Sequence, residues 1–305
     1  MLPAATELVA ASKRRSLAVM AGVGQIWDRI DPAGDWSTQW ISLLPRATAL
    51  VSLAQVGAAT DAAAAVPAML TQQGVEPTPI AELKPSGFAG WAVRSWTNGD
   101  ELVDLGAYLY PAVITARQAP GGPAEMLQAG RRMAQGLAQF ATASSSDWAS
   151  RAGATADRGA AGLVWYDPPP MCQRCAAVYG RFFHFGAKAF QRHPRCDGQL
   201  VAVSQDKLAD LPMIGAEDVK DLNRWQKKAL SEGADWSKVT NSTSGVQRSR
   251  GVSTSVLTNN GLQTYYGAGR KKGRTPRLSP KGIYVAAGDN RELALELLRA
   301  NGYIY

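Results

Sequence analysis

The sequence predicts a mainly α, α+β protein. A helical N-terminal region covers residues 1–159, a small antiparallel β unit covers 160–212, and a helical, basic region with a flexible arm at about 238–281 covers 213–305. Three observations lead to this reading. Alanine-rich stretches with spaced Leu, Val and Met fill the first half and favour helix over strand. Short apolar runs bounded by Pro, Gly and Asp follow after residue 160. The last region combines helix-forming sequence with a long stretch rich in Gly, Ser, Thr and Asn.

A chain of 305 residues, 46% hydrophobic and 19% charged, is that of a folded globular protein with room for two or three units. No uninterrupted apolar run of about 18 residues is present, which argues against a spanning helix and a membrane partner. The stretch "KRRSLAVMAGVGQIW" (13–27) places basic residues ahead of apolar ones, as a signal peptide does. Gln25 and Asp28 interrupt it and no small-x-small cleavage site follows, so it reads as an amphipathic helix. Three cysteines cannot all pair, which points to a reducing cytoplasm.

The elements are taken in order. "DWSTQWISLL" opens on Asp35 as an N-cap, and Pro45 is expected to kink or restart the helix. "TNGDELVDLGAYLYPAVITARQ" reads as a helix after a polar start, with acids in its first turn. "GGPAEMLQAGRRMAQGLAQFATA" sets Pro123 near a helix start. Trp27, Trp36, Trp40, Trp91 and Trp96 are assigned to the core. This half is a scaffold without evident chemistry. "GLVWYD", closed by Pro168 to Pro170, is the first strand, with "VYGRFFHF" and "QLVAVS" as two more. A core of about 50 residues is marginal unless something staples it. "AEDVKDLNRWQKKALSEGADWSKV" returns to helix, and "NRELALELLRANGYIY" closes the chain with another.

The staple is legible in "MCQRCAAVYGRFFHFGAKAFQRHPRCDG" (171–198), which holds every cysteine and both histidines of the chain. Cys172 and Cys175 form a C-x2-C pair, and His193 and Cys196 form an H-x2-C pair 17 residues on. Two-residue spacers turn both side chains of a knuckle toward one ion, and paired knuckles complete a tetrahedron that suits zinc. Four protein ligands leave no open position for water, so the ion would be structural. His184 lies in an aromatic strand and is not counted as a ligand.

Charge is uneven. Residues 1–160 hold 12 Lys and Arg against 13 Asp and Glu, whereas residues 161–305 hold 21 against 12. Between Trp236 and Gly288 there is no acid at all, but nine basic residues. Arg248, Arg250, Arg270, Lys271, Lys272, Arg274 and Arg277 of this stretch are candidate phosphate contacts for nucleic acid bound without sequence preference.

"MCQRCAAVYGRFF" followed by "FQRHPRCD" resembles the C-x-x-C-A-x-x-x-G-R and F-x-R-H-P-x-C-D signature of minor capsid proteins from tailed phages of actinobacteria, related to the Mu F-like head morphogenesis family. "LSEGADWSKVTNS", "RTPRLSPKGIY" and "LALELLRANGYI" follow in the family's order. The resemblance covers roughly residues 160–305, and the N-terminal half matches only as a helical region of similar length. One position departs: the family reads H-P-x-C-D-C, and Gly198 stands here in place of its last cysteine. If that cysteine is the fourth ligand in relatives, this chain uses His193 or lacks the ion. The resemblance implies a low-copy structural component of the phage head, made in the host cytoplasm and housed inside the capsid. It also implies the portal, other head proteins and phage DNA as partners.

Enzyme motifs do not emerge. "GAGRKKGRT" (267–275) has five residues between its outer glycines instead of the four of a phosphate loop, and Arg274 in the lysine position. No G-x-S-x-G or H-E-x-x-H motif is present. The competing readings are a cellular zinc-containing nucleic-acid-binding protein and, behind it, a capsid maturation protease.

Overall fold

The computed structural model of the protein describes residues 3–96, 99–185, 196, 198–204, 211, 213–240, 242, 257–264 and 273–305. It is mainly helical with small antiparallel sheets. The chain forms two compact units: residues 1–168 with 180–212, and residues 169–179 with 213–305.

The first unit is built on three long helices, α1 (Pro3–Trp27), α2 (Trp36–Gln72) and α5 (Pro123–Thr155). Val19, Val23 and Trp27 of α1 pack with Trp40, Ala47 and Val51 of α2 and with Ala134, Ala138 and Ala141 of α5. The Trp27 and Trp40 rings meet at 4.8 Å between centroids. The Trp27 indole N–H donates to the Leu127 carbonyl at 3.0 Å. Small residues let the helices approach this closely: a Cβ at Gly130 would stand 2.4 Å from the Trp27 ring. Asp28 receives both arms of the Arg131 guanidinium, at 2.8 and 3.1 Å.

Asp35 caps α2, as expected. Its carboxylate accepts from the Thr38 hydroxyl at 2.6 Å and from the Ser37 and Thr38 amides, and these bonds hold its pKa below the ordinary carboxylate value. Pro45 does not restart a helix: it lies inside α2 together with Pro67, where α2 packs against α1 and α5. A second expectation is also corrected: α2 is long and apolar enough to cross a membrane, with a mean hydropathy of 1.4 over 18 residues. Scattered Thr, Gln and Gly mask this in the letters, and in the fold the helix is a member of the bundle.

Residues 97–118 differ from the single helix expected. Strands β1 (Trp91–Trp96) and β2 (Gly99–Asp104) form an antiparallel pair, so Asp100 and Glu101 belong to a strand and not to a helix start. The apolar periodicity of the stretch overshadowed the turn-favouring letters Asn98 and Gly99, the second of which opens β2 opposite Trp96. Helix begins only at α3 (Leu105–Leu109), capped by Asp104, and continues as α4 (Pro111–Gln118).

The expected strands form a three-stranded sheet in the order β4 (Phe182–Phe183), β3 (Gly162–Tyr166), β5 (Gln199–Val203). Every residue of β3 and β5 is buried. Among the described residues, no further strand pairs with the outer edge of β5. Instead, the Leu200 amide donates to Asp147 of α5 at 3.3 Å, and Gln73, the residue closing α2, serves two neighbours. Its amide nitrogen donates to the Ala202 carbonyl at 2.9 Å and its oxygen accepts from the Ser204 amide at 2.9 Å. Gln199 donates to the Ser12 hydroxyl of α1 at 2.8 Å. Side chains from the helices and from the residue closing α2 thus close the outer edge of β5.

One face of α5 carries a different kind of polarity. Gln139, Thr142, Ser146 and Ser150 are buried, and their side-chain oxygens have no hydrogen-bond partner among the described residues. The two groups of polar residues should respond oppositely to truncation. Gln73→Ala strands the backbone groups of Ala202 and Ser204, and should lower stability by about 1–3 kcal/mol. Thr142→Val or Ser146→Ala removes an oxygen that bonds to nothing described, and should be neutral or stabilising. Urea unfolding of the purified variants checks both, and equal losses at Gln73 and Ser146 would contradict the account.

Candidate metal centre and nucleic-acid interface

The second unit contains α6 (Gln173–Ala176), α7 (Arg224–Ser231), α8 (Trp236–Thr240), β6 (Leu257–Thr264), β7 (Gly273–Leu278), α9 (Pro280–Ala287) and α10 (Arg291–Ala300). Its core joins Ala229, Val239, Ile283, Tyr284, Leu298 and Tyr303.

The segment that bears the first knuckle docks through the backbone. The Met171 amide donates to the Asp218 carbonyl at 2.9 Å, and Lys220 returns a bond to the Met171 carbonyl at 2.8 Å. Gln173 donates to the Asp221 carbonyl at 2.6 Å. Cys172 then caps α6: its Sγ accepts from the Cys175 amide at 3.3 Å. That turn is what a C-x2-C spacing produces. Cys175 is fully buried.

Cys196, also buried, belongs to the first unit, and His193 lies outside the described residues. None of the three cysteines is in a disulfide. Among the described residues, no group of three or more His, Cys, Asp or Glu is placed to hold a metal ion. The Cys172–Cys175 turn fits a knuckle by its donors and its amide contact. His184, not counted as a ligand, stacks edge-on against Phe182 at 4.7 Å.

Gly198 has a packing reason. A Cβ there would stand 2.6 Å from the ring of Trp165, which is fully buried in β3. The position that the sequence pattern reserves for a cysteine is filled by an indole.

Of the candidate phosphate contacts, Arg248, Arg250, Arg270, Lys271 and Lys272 lie outside the described residues. Arg274 and Arg277 are on β7, paired in register with Gln263 and Thr258 of β6. Part of the expected arm is thus a two-stranded antiparallel hairpin, with an irregularity between Thr258 and Leu262. Its last residue is pinned to the end of the chain. The Leu278 amide donates to the Asn301 side chain at 2.8 Å, and the Tyr303 hydroxyl donates to the Leu278 carbonyl at 3.1 Å.

A cavity of about 270 Å³ opens in the same unit beside Gln173, Asn223, Gln226, Ser242, Ser279 and Lys281. Amides and hydroxyls line it together with Asp221 and Lys281, which equips it for hydrogen bonding. No protein family, curated protein or solved structure matches the chain at a significant level.

Two expected outcomes follow from this geometry. Gly198→Cys should destabilise the protein by about 1–3 kcal/mol through overpacking against Trp165, without raising the metal content. Denaturation and elemental analysis of the variant measure both. The second contrasts two buried tyrosines. Burial raises the Tyr284 pKa to about 12, and its hydroxyl has no partner among the described residues, so Tyr284→Phe should not destabilise. Tyr303→Phe loses the bond to Leu278 and should cost about 1 kcal/mol, with faster amide exchange at Leu278.

Proposed function

We propose that the chain is a non-enzymatic, low-copy structural component of a tailed-phage head. It belongs to the minor capsid class related to the Mu F-like proteins, is assembled in the host cytoplasm, and is housed in the capsid interior beside the portal and packaged DNA. The observation that carries the reading is the order of motifs: the C-x2-C turn at 172–175, then "FQRHPRCD", "LSEGADWSKVTNS", "RTPRLSPKGIY" and "LALELLRANGYI". The excess of positive charge in residues 161–305 supports it, since a polyanion is the natural counterpart of an acid-free basic stretch.

A structural zinc ion held by Cys172, Cys175, His193 and Cys196 is part of the same reading. The Sγ-to-amide turn at Cys172 supports the first half of that ligand set. Bound there, zinc would tie chain segments together and contribute folding energy, and it would activate no water.

Mass spectrometry of purified particles from the source prophage tests the functional reading. A few copies per particle are expected, and complete absence from otherwise intact particles would refute it in favour of the cellular alternative. The metal is tested by elemental analysis of the purified chain. About one zinc per chain is expected, with Cys172→Ala losing the metal and thermal stability together. Proteolytic activity in the wild type that a well-folded His193→Ala variant loses would show that the structural assignment is wrong.

A further inference from the structure

We propose that helix α7 is a phosphate-binding ridge, and that its ligand is the backbone of duplex nucleic acid. The inference does not rest on the phage-head reading, because it is drawn from side chains on α7 and the residues beneath them.

Arg224, Lys227, Lys228 and Ser231 recur at helical spacing along one stripe of α7, and all four are exposed. The three cations have no carboxylate partner among the described residues. Arg14, Arg15, Arg131 and Arg291, by contrast, each pair with an acid. Lys281 of α9, also exposed, lines a cavity with Asn223 and Gln226 at the start of α7, where Asp221 is the one acid of the lining.

Two of these cations are held in place by aromatic rings. The Arg224 guanidinium lies 4.3 Å over the Trp225 ring, and the Lys228 ammonium lies 4.6 Å over Tyr284. The two rings stack on each other at 5.8 Å and 15°. Long basic side chains normally lose much rotamer freedom on binding, and cations already seated on rings lose less. Arg224 also occupies the first turn of α7, where the helix dipole disfavours a positive charge. Helix stability therefore does not account for an arginine at that position.

The chemistry of the stripe selects the ligand. Among the described residues, the exposed large apolar ones of this unit are Met213, Val285, Leu293 and Tyr305, and none belongs to α7. A protein partner would need an apolar centre, and lysine is depleted from such centres. Base stacking would need an open ring face, but Tyr284 is only 2% exposed and Trp225 is engaged by Tyr284 and Arg224. A row of point charges without a stacking platform fits the phosphates of a duplex and not an unstacked single strand.

The test uses the full chain and fluorescence anisotropy on two unrelated DNA duplexes and one single strand, over a range of salt. Each phosphate contact contributes about 0.9 to the slope of log affinity against log salt. R224A/K227A/K228A should therefore lower the slope by about 2–3, equally on both duplexes. R224K/K227R/K228R should keep it near wild type. A parallel Arg270, Lys271, Lys272, Arg274 to alanine variant separates the ridge from the arm, since each set should lower the slope independently. If the triple variant fails to fold, Lys227→Ala alone, whose side chain takes no part in the ring contacts described, should lower the slope by about 1. An unchanged slope in the folded triple or Lys227 variant would overturn the proposal, as would tighter binding to the single strand than to either duplex. Particle composition is measured separately, so failure of the ridge leaves the phage-head reading untouched, and the reverse holds as well.

Discussion

The first unit depends on how the outer edge of β5 is closed. A strand whose residues are all buried cannot leave backbone donors and acceptors unpaired without a penalty of about 1–3 kcal/mol for each. Gln73 and Asp147 supply the missing partners from helices. An amide side chain offers a donor and an acceptor together, so Gln73 imitates a neighbouring strand for both Ala202 and Ser204. The consequence reaches beyond the strand. Apolar burial is non-directional and would tolerate a slipped sheet, whereas these bonds fix β5 against the end of α2 and the middle of α5.

The three-helix bundle meets this constraint with small residues. Alanine, glycine and serine along α5 let α1 and α2 approach closely, and Gly130 against Trp27 is the tightest example. The same choice leaves hydroxyls of Thr142, Ser146 and Ser150 buried without described partners. Ser and Thr at such positions match the size that the interface demands but not its polarity. Stability here comes from many close contacts of small side chains and from directed bonds at a few sites, among them Gln55, which donates to the carbonyls of Trp91 and Ala141.

What the sequence made legible follows from how local each signal is. The three strands after residue 160 were readable because each is a short apolar run with its own punctuation. Asp35 was readable because a cap is a local hydrogen bond. That α2 runs on through Pro45 was not readable, because a helix's length depends on packing that no local window contains. The β1–β2 pair was missed when a long apolar periodicity was allowed to outweigh Asn98-Gly99. At the candidate sites, the C-x2-C spacing announced the turn at Cys172, but not which compact unit each cysteine joins. The cations of α7 were hidden for a different reason. Arg and Lys are good helix formers, so their presence reads as propensity until Trp225 and Tyr284 are seen beneath them.

Gly198 shows how a fold can restrict one residue: the space beside its Cα belongs to Trp165, whose backbone pairs with Leu200 across the β3–β5 ladder. Leu200 is in turn the residue whose amide is held by Asp147. Moving the indole to admit a sulfur would therefore disturb the strand at the point where its edge is closed. Sheet packing thus restricts what residue 198 can be.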